Sequence, residues 1–102
     1  MIYVVATIQT AAGKRDALLD QFRRIVDLVR AEDGCLEYSP SLDLATDIDA
    51  QPALRPDVVT VVEKWESLPH LQAHLSAPHM LEYRGAVKDI VTDVTIQVLE
   101  PA

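Results

Sequence analysis

The stretch Val58-Val59-Thr60-Val61-Val62-Glu63-Lys64-Trp65 decides the fold. β-branched side chains favour the pleated chain, and Val58, Val59, Val61 and Val62 make both faces apolar at its start. A strand apolar on two sides needs cover on two sides. Directly after it, Ser67 offers a helix N-cap and Pro69 stands in the first turn. Leu68, Leu71 and Leu75 support a short helix; Ser76-Ala77-Pro78 breaks it and starts another. Met80, Tyr83 and Val87, with Ile90 or Val91, continue a helical face, and Val94, Ile96 and Val98 form one face of a last strand.

Reading back from Val58, residues 45–57 hold three aspartates and two prolines. That is a loop, long for so small a chain, and long loops are often functional or mobile. Before it, Cys35 to Leu44 alternates, with Leu36, Tyr38, Leu42 and Leu44 on one face. Pro40 cannot donate to a ladder, so this strand has an edge or a bulge near residue 40. Leu18, Phe22, Ile25 and Val29 form one helical stripe. Asp20 and Arg24 are expected to pair at i,i+4 on the opposite face, and Gly34 to end the helix as a left-handed cap. Ile2, Val4, Ala6 and Ile8 share a face of a first strand. Met1 to Ile8 is too short to span a membrane and has no basic residue before it, so it does not read as a signal peptide.

The order is therefore β-α-β-β-α-β, the ferredoxin-like split βαβ pattern of an α+β chain. Helices cover one face of such a sheet. The second apolar face then needs a partner, and a second copy of the same sheet is the economical one, so a homodimer is expected. The 102 residues make one domain, 1–102, with a loop insertion at about 45–57.

Composition narrows the function. Sixteen acidic residues against nine basic give a formal net charge of -7, which repels phosphates and so argues against nucleic acid and anionic membranes. A lone cysteine, Cys35, forms neither an internal disulfide nor a Cys-based zinc site, and the cytoplasm is the default compartment. No Gly-rich phosphate loop, Walker motif, GxSxG or dinucleotide fingerprint is present.

His70, His74 and His79 lie close in sequence. His70 and His74 have the i,i+4 spacing that can bind a metal, but no third ligand is evident, and no metal site is expected. His74 follows Trp65 by nine residues across a strand-to-helix junction; an inward His beside an aromatic suits a flat organic ligand and can take a proton near neutral pH. On spacing alone, a partly buried histidine satisfied by backbone is the simpler reading. Trp65 by itself reads as core packing at a strand end. Glu63 shares its strand face and, if buried, needs a partner, for which Arg84 is one candidate. Tyr38 and Tyr83 line a cavity or fill core.

Two blocks go further. Glu32-Asp33-Gly34-Cys35-Leu36-Glu37-Tyr38 resembles the E-x-G-C-L-x-Y segment of the antibiotic biosynthesis monooxygenase (ABM) family. Glu63-Lys64-Trp65-Glu66-Ser67, followed by Ala73-His74-Leu75-Ser76-Ala77-Pro78-His79-Met80, resembles that family's E-x-W-x-S and A-H-x-x-S-x-H-F segments. The resemblance covers about residues 1 to 95. It implies a dimeric α+β barrel of ferredoxin-like subunits and a monooxygenase that oxidises quinols or phenols with O2, without metal, haem or flavin cofactor. It implies catalytic roles for His74, as acid/base or orienting group, and for Trp65, as ring platform and wall. Tyr38, Glu63, His79 and Tyr83 become substrate-binding candidates. Other relatives of the family degrade haem or isomerise a phosphorylated sugar, and a non-catalytic ligand-binding dimer is a further alternative. Thr7 stands where a haem-degrading relative would want an asparagine. Sugar phosphate would want basic groups, of which Arg84 and Lys64 are the nearest.

Overall fold

The computed structural model describes all residues, 1–102. In chain order the elements are β1 (Ile2–Thr10), α1 (Arg15–Arg30), β2 (Cys35–Ser41), β3 (Val58–Trp65), α2 (Leu68–Leu75), α3 (Pro78–Val87) and β4 (Val91–Leu99). The four strands form one antiparallel sheet in the order β2-β3-β1-β4. This is the ferredoxin-like arrangement, with the second helical segment split into α2 and α3 at Ser76 and Ala77 before Pro78.

The strand that decided the fold is central. Val59, Val61, Glu63 and Trp65 point to the helix side and pair across the ladder with Ile8, Ala6, Val4 and Ile2. The α1 stripe Leu18, Phe22, Ile25 and Val29 packs onto them, and none of the four is more than 6% exposed. Burial of apolar area at this interface is the main force holding α1 to the sheet.

Several details differ from the sequence expectation. Asp20 pairs with Arg23 at i,i+3, not with Arg24; both spacings share a helix face, and the pair is too exposed to matter for stability. Gly34 is left-handed, with φ +78°, but α1 already ends at Arg30. Gly34 instead turns the chain into β2, under the ring of His70. Ser67 holds the N-cap position without capping the backbone, because Pro69 removes a backbone N–H there; its hydroxyl bonds His70 Nδ1 at 2.6 Å.

β2 stops at Ser41 rather than Leu44. Leu36, Leu42 and Leu44 are exposed while Tyr38 is buried. A register shift between Cys35 and Glu37 takes Leu36 out of alternation. Past Ser41, the Asp43 carboxylate draws the chain off the sheet by accepting hydrogen bonds from Arg55 Nε and Nη2 at 2.9 and 2.8 Å. That fork holds the Asp43 carboxyl down at about 2. Asp57 closes the other end of the connection, accepting from the Gly13 N–H at 2.9 Å.

The outer face of the sheet is more polar than the alternation suggested. Tyr3, Val5, Val62 and Leu99 are interleaved there with Thr7, Thr60, Lys64, Thr95 and Gln97. The barer surface is on the helix side of β4, where Val94, Ile96 and Val98 are 49%, 47% and 42% exposed. They pair with the buried Ile8, Ala6 and Val4, but no helix reaches across to cover them.

Candidate active site

Between the sheet and the helices lies a cavity of about 270 Å³. Ala6, Ile8 and Val61 supply sheet-side wall, Phe22 comes from α1, and Met80 and Tyr83 come from α3. Its outer rim runs along Val94 and Ile96 of β4, with Arg84 beside it. A dry cavity of about 150 Å³ accommodates benzene, so this space suits a ligand of about two fused rings. Four of the six expected residues line it: His74, Tyr38, Glu63 and Tyr83.

His74 is 2% exposed, yet fully bonded on one side only. Its Nδ1 lies 2.8 Å from Glu32 Oε2. An ionised carboxylate only accepts, so Nδ1 carries the hydrogen and Nε2 keeps its lone pair. No unbonded side-chain nitrogen or oxygen is sealed away from water in this molecule. Because His74 lines the cavity, the free Nε2 faces into it. Burial lowers the His74 pKa, and Glu32 opposes that shift. The neutral imidazole is thus the resting form at neutral pH: a base aimed at an apolar space.

Glu63 is the second ionisable group in the wall. Its Oε1 accepts from Trp65 Nε1 at 3.0 Å, and its other oxygen has no protein partner. Arg84 lines the same cavity but does not pair with Glu63; the indole, two residues along the same strand face, takes that role. Desolvation pushes the Glu63 carboxyl up to about 7, against the Trp65 bond and with help from the Glu32 charge. Burial likewise pushes the Tyr38 and Tyr83 phenols upward, so both stay protonated donors.

Trp65 is fully buried and does not form the cavity wall. It sits behind His74, ring centroids 4.7 Å apart and 35° between planes. Its part is to back the imidazole and to hold Glu63. His79 also lies outside the cavity, beside a surface depression with Arg24 and Glu82. Its Nε2 is 2.9 Å from Glu32 Oε2, the oxygen that also holds His74. His70 does not converge with His74. It is held by Ser67 and faces Asp33 at 3.5 Å. Thr7 points to the far side of the sheet; the cavity-facing residues of β1 are Ala6 and Ile8.

No sequence pattern assigns Glu32 a role. It lies in the turn between α1 and β2, and only the fold brings it to residues more than forty positions later. Glu32, His74 and His79 place three ligand-type atoms within 4.8 Å of one another. The two nitrogens already share one carboxylate oxygen as hydrogen-bond partners, and an ion would have to displace those hydrogens. Hydrogen bonding satisfies the group as it stands.

Residues 1–86 match the family described as antibiotic biosynthesis monooxygenase. The chain belongs to this family, and its sheet order and helix-side cavity are the frame on which the match lies. It is 44% identical to the "Probable quinol monooxygenase YgiN" of Escherichia coli (strain K12), over 99% of this chain and 98% of that one. Among solved structures it resembles PA3566 from Pseudomonas aeruginosa, with TM-score 0.81, 26% identity, and coverage of 99% and 93% of the two chains. Rv0793 from Mycobacterium tuberculosis matches at TM-score 0.79 and 27% identity, covering 99% and 94%. No helix in the chain is long and apolar enough to cross a membrane.

Proposed function

We propose that this chain is a cofactor-independent monooxygenase that oxidises a small quinol or phenol with O2. The observation that carries this reading is the Glu32–His74 pair, which leaves Nε2 of His74 free on a largely apolar cavity. The quinol in the name of the Escherichia coli relative agrees with the volume and apolar lining of that cavity.

His74 Nε2 takes the phenolic proton. The electron-rich anion then gives one electron to O2, and the radical pair combines to form a carbon–oxygen bond. The resulting peroxide takes up a proton, its O–O bond breaks, and water leaves the oxygenated product. Substrate is thus the reductant for the second oxygen atom. The chain contributes orientation, exclusion of water and a positioned base. Tyr38, Tyr83 and the Glu63 carboxyl donate hydrogen bonds to the substrate oxygens, and Trp65 fixes the planes of His74 and Glu63. His79 acts from outside the substrate's reach.

The catalytic unit in this reading is one ABM domain over 1–102 with a loop insertion at 45–57, working as a cytoplasmic homodimer. The exposed Val94, Ile96 and Val98, and the Tyr3, Val62 and Leu99 surface, are what a second copy would cover. Sedimentation of a stable monomer at micromolar concentration would contradict the dimer.

The test of function is oxygen uptake with reduced naphthoquinols and anthrone. Uptake above the spontaneous rate, lost in His74→Ala, is expected. Uptake no faster than the spontaneous rate across the whole set overturns the assignment.

A further inference from the structure

Around the cavity, only Glu63, His74 and Arg84 are neither apolar nor phenolic. Glu63 is held by the Trp65 indole and His74 by Glu32. Arg84 has no such partner. Acidic residues outnumber basic ones by sixteen to nine, yet no ion pair of the chain includes it. The reason is local. On α3 the residues three and four positions away are Leu81, Met80, Val87 and Lys88, and none of them is acidic. Glu82 is two positions away and lines the depression between α1 and α3 instead. Met80, Tyr83 and Val87 are the buried α3 residues of the cavity, whereas Arg84 is exposed. Arg84 therefore stands at the mouth, beside the bare rim of β4. Its charge is felt inside: burial dominates the titration of His74 and of Tyr83, and Arg84 is a lesser influence that pulls both pKa values down.

We infer that Arg84 selects a substrate bearing one carboxylate, whose quinol or phenol ring fills the apolar cavity while the carboxylate meets the guanidinium at the mouth. This rests on the reaction proposed above and names the substrate class within it. The site divides physically into two zones. The inner wall is apolar, and burying a charged group there is costly. The mouth is wet and carries one unpaired cation, so an anion placed there keeps most of its hydration and gains a partner. The guanidinium fork matches a carboxylate with two parallel N–H donors. One cation answers one negative charge. A phosphate dianion would want a second cation, and Lys88, the next basic residue along α3, does not line the cavity. The chain's net charge of -7 adds to the cost of a doubly charged ligand. Anchoring one end of the ring system at Arg84 also sets which end enters, and so presents the hydroxyl to His74. Arg84 is a specificity-determining residue in this scheme: it touches the substrate but no reacting atom.

The test uses the full chain and two redox-inert probes of one shape, naphthoate and its neutral amide, naphthamide. Binding is read by calorimetry for the parent, Arg84→Gln and Arg84→Lys; the exposed position spares the fold. The parent should bind naphthoate roughly tenfold more tightly than naphthamide. The preference should vanish in Arg84→Gln and persist in part in Arg84→Lys, which keeps the charge but not the fork. Equal binding of the two probes by the parent, no binding of naphthoate, or a preference that survives Arg84→Gln overturns the inference. None of these readings needs turnover, so they stand or fall apart from the oxygenase assignment. In oxygen uptake with a naphthoquinol carrying a ring carboxylate, Arg84→Gln should raise KM roughly tenfold with little change in kcat. A fall in kcat shared by carboxylated and plain quinols would place Arg84 in the chemistry rather than in recognition, and overturns it as well.

Discussion

Glu32 Oε2 and His74 Nδ1 stand 2.8 Å apart although 42 residues separate them in sequence. This contact sets the tautomer of the buried imidazole. In Glu32→Gln the side-chain amide can donate to Nδ1, which moves the ring hydrogen to Nε2 and turns the base into a donor. Turnover should fall by roughly a hundredfold or more, as in His74→Ala, with a smaller change in KM. Steady-state oxygen uptake measures both. An active Glu32→Gln enzyme would show that the tautomer does not matter.

Glu63 predicts a pH-dependent stability. Its carboxyl is raised from 4.5 to about 7 in the folded chain. The folded state therefore holds the proton more tightly than the unfolded chain does. That stabilising contribution is full below pH 4.5 and is lost as pH rises through about 7. Glu63→Gln keeps an acceptor for Trp65 and has no such loss. Between pH 5 and pH 8 the variant should gain on the parent by on the order of 3 kcal/mol, read by urea denaturation. A difference that does not change with pH would contradict the buried, half-neutral carboxyl.

His74 has the opposite sense. Its pKa is lowered by burial, so its contribution to stability is present above the usual histidine value and is lost as pH falls through the lowered one. The acid limb of kcat/KM should accordingly lie below 6.5, the ordinary histidine value. In His74→Gln both the acid limb and the acid destabilisation should be reduced.

Trp65→Phe removes the only hydrogen bond to the Glu63 carboxyl and leaves a small void behind His74. A cost of about 1–3 kcal/mol is expected from the orphaned buried acceptor. Glu63 should titrate still higher, followed by the carboxyl band in the infrared. Unchanged titration would mean that the indole does not hold this group.

Gly34→Ala tests the turn below α2. A Cβ there would collide with the His70 ring, and the backbone has φ +78°. The left-handed conformation costs about 1–2 kcal/mol for a residue with a Cβ, and moving His70 adds to it. Thermal unfolding should show a clear drop. His70→Ala in the same background should recover part of it, because it removes the clash but not the backbone cost.

The periodicities of Val58 to Trp65, of the α1 stripe and of the flanking strands were enough to place the elements along the chain, because burial dictates them locally. Asp20 found Arg23 instead of Arg24 because both lie on one helix face and solvent separates the choices only weakly. Leu36 fell out of alternation through a one-residue register shift, which no local pattern encodes. The site divided in the same way. His74, Glu63, Tyr38 and Tyr83 meet at the cavity, but the helix-to-sheet crossing put Trp65 behind it and His79 beyond it. Glu32 was beyond reach of spacing arguments, since its partners are brought to it only by the packing of two helices on a turn.

That turn has an evolutionary side. Through one oxygen atom, Glu32 ties both α2 and α3 to the end of α1, and the same atom orients the imidazole. A substitution there that retunes the chemistry also loosens two helices, so gain in one trait cannot be selected free of loss in the other. Diversification of substrate range among such chains should therefore run through the cavity wall at positions such as Phe22, Met80 and Val94, and leave position 32 as the fixed point about which the rest varies.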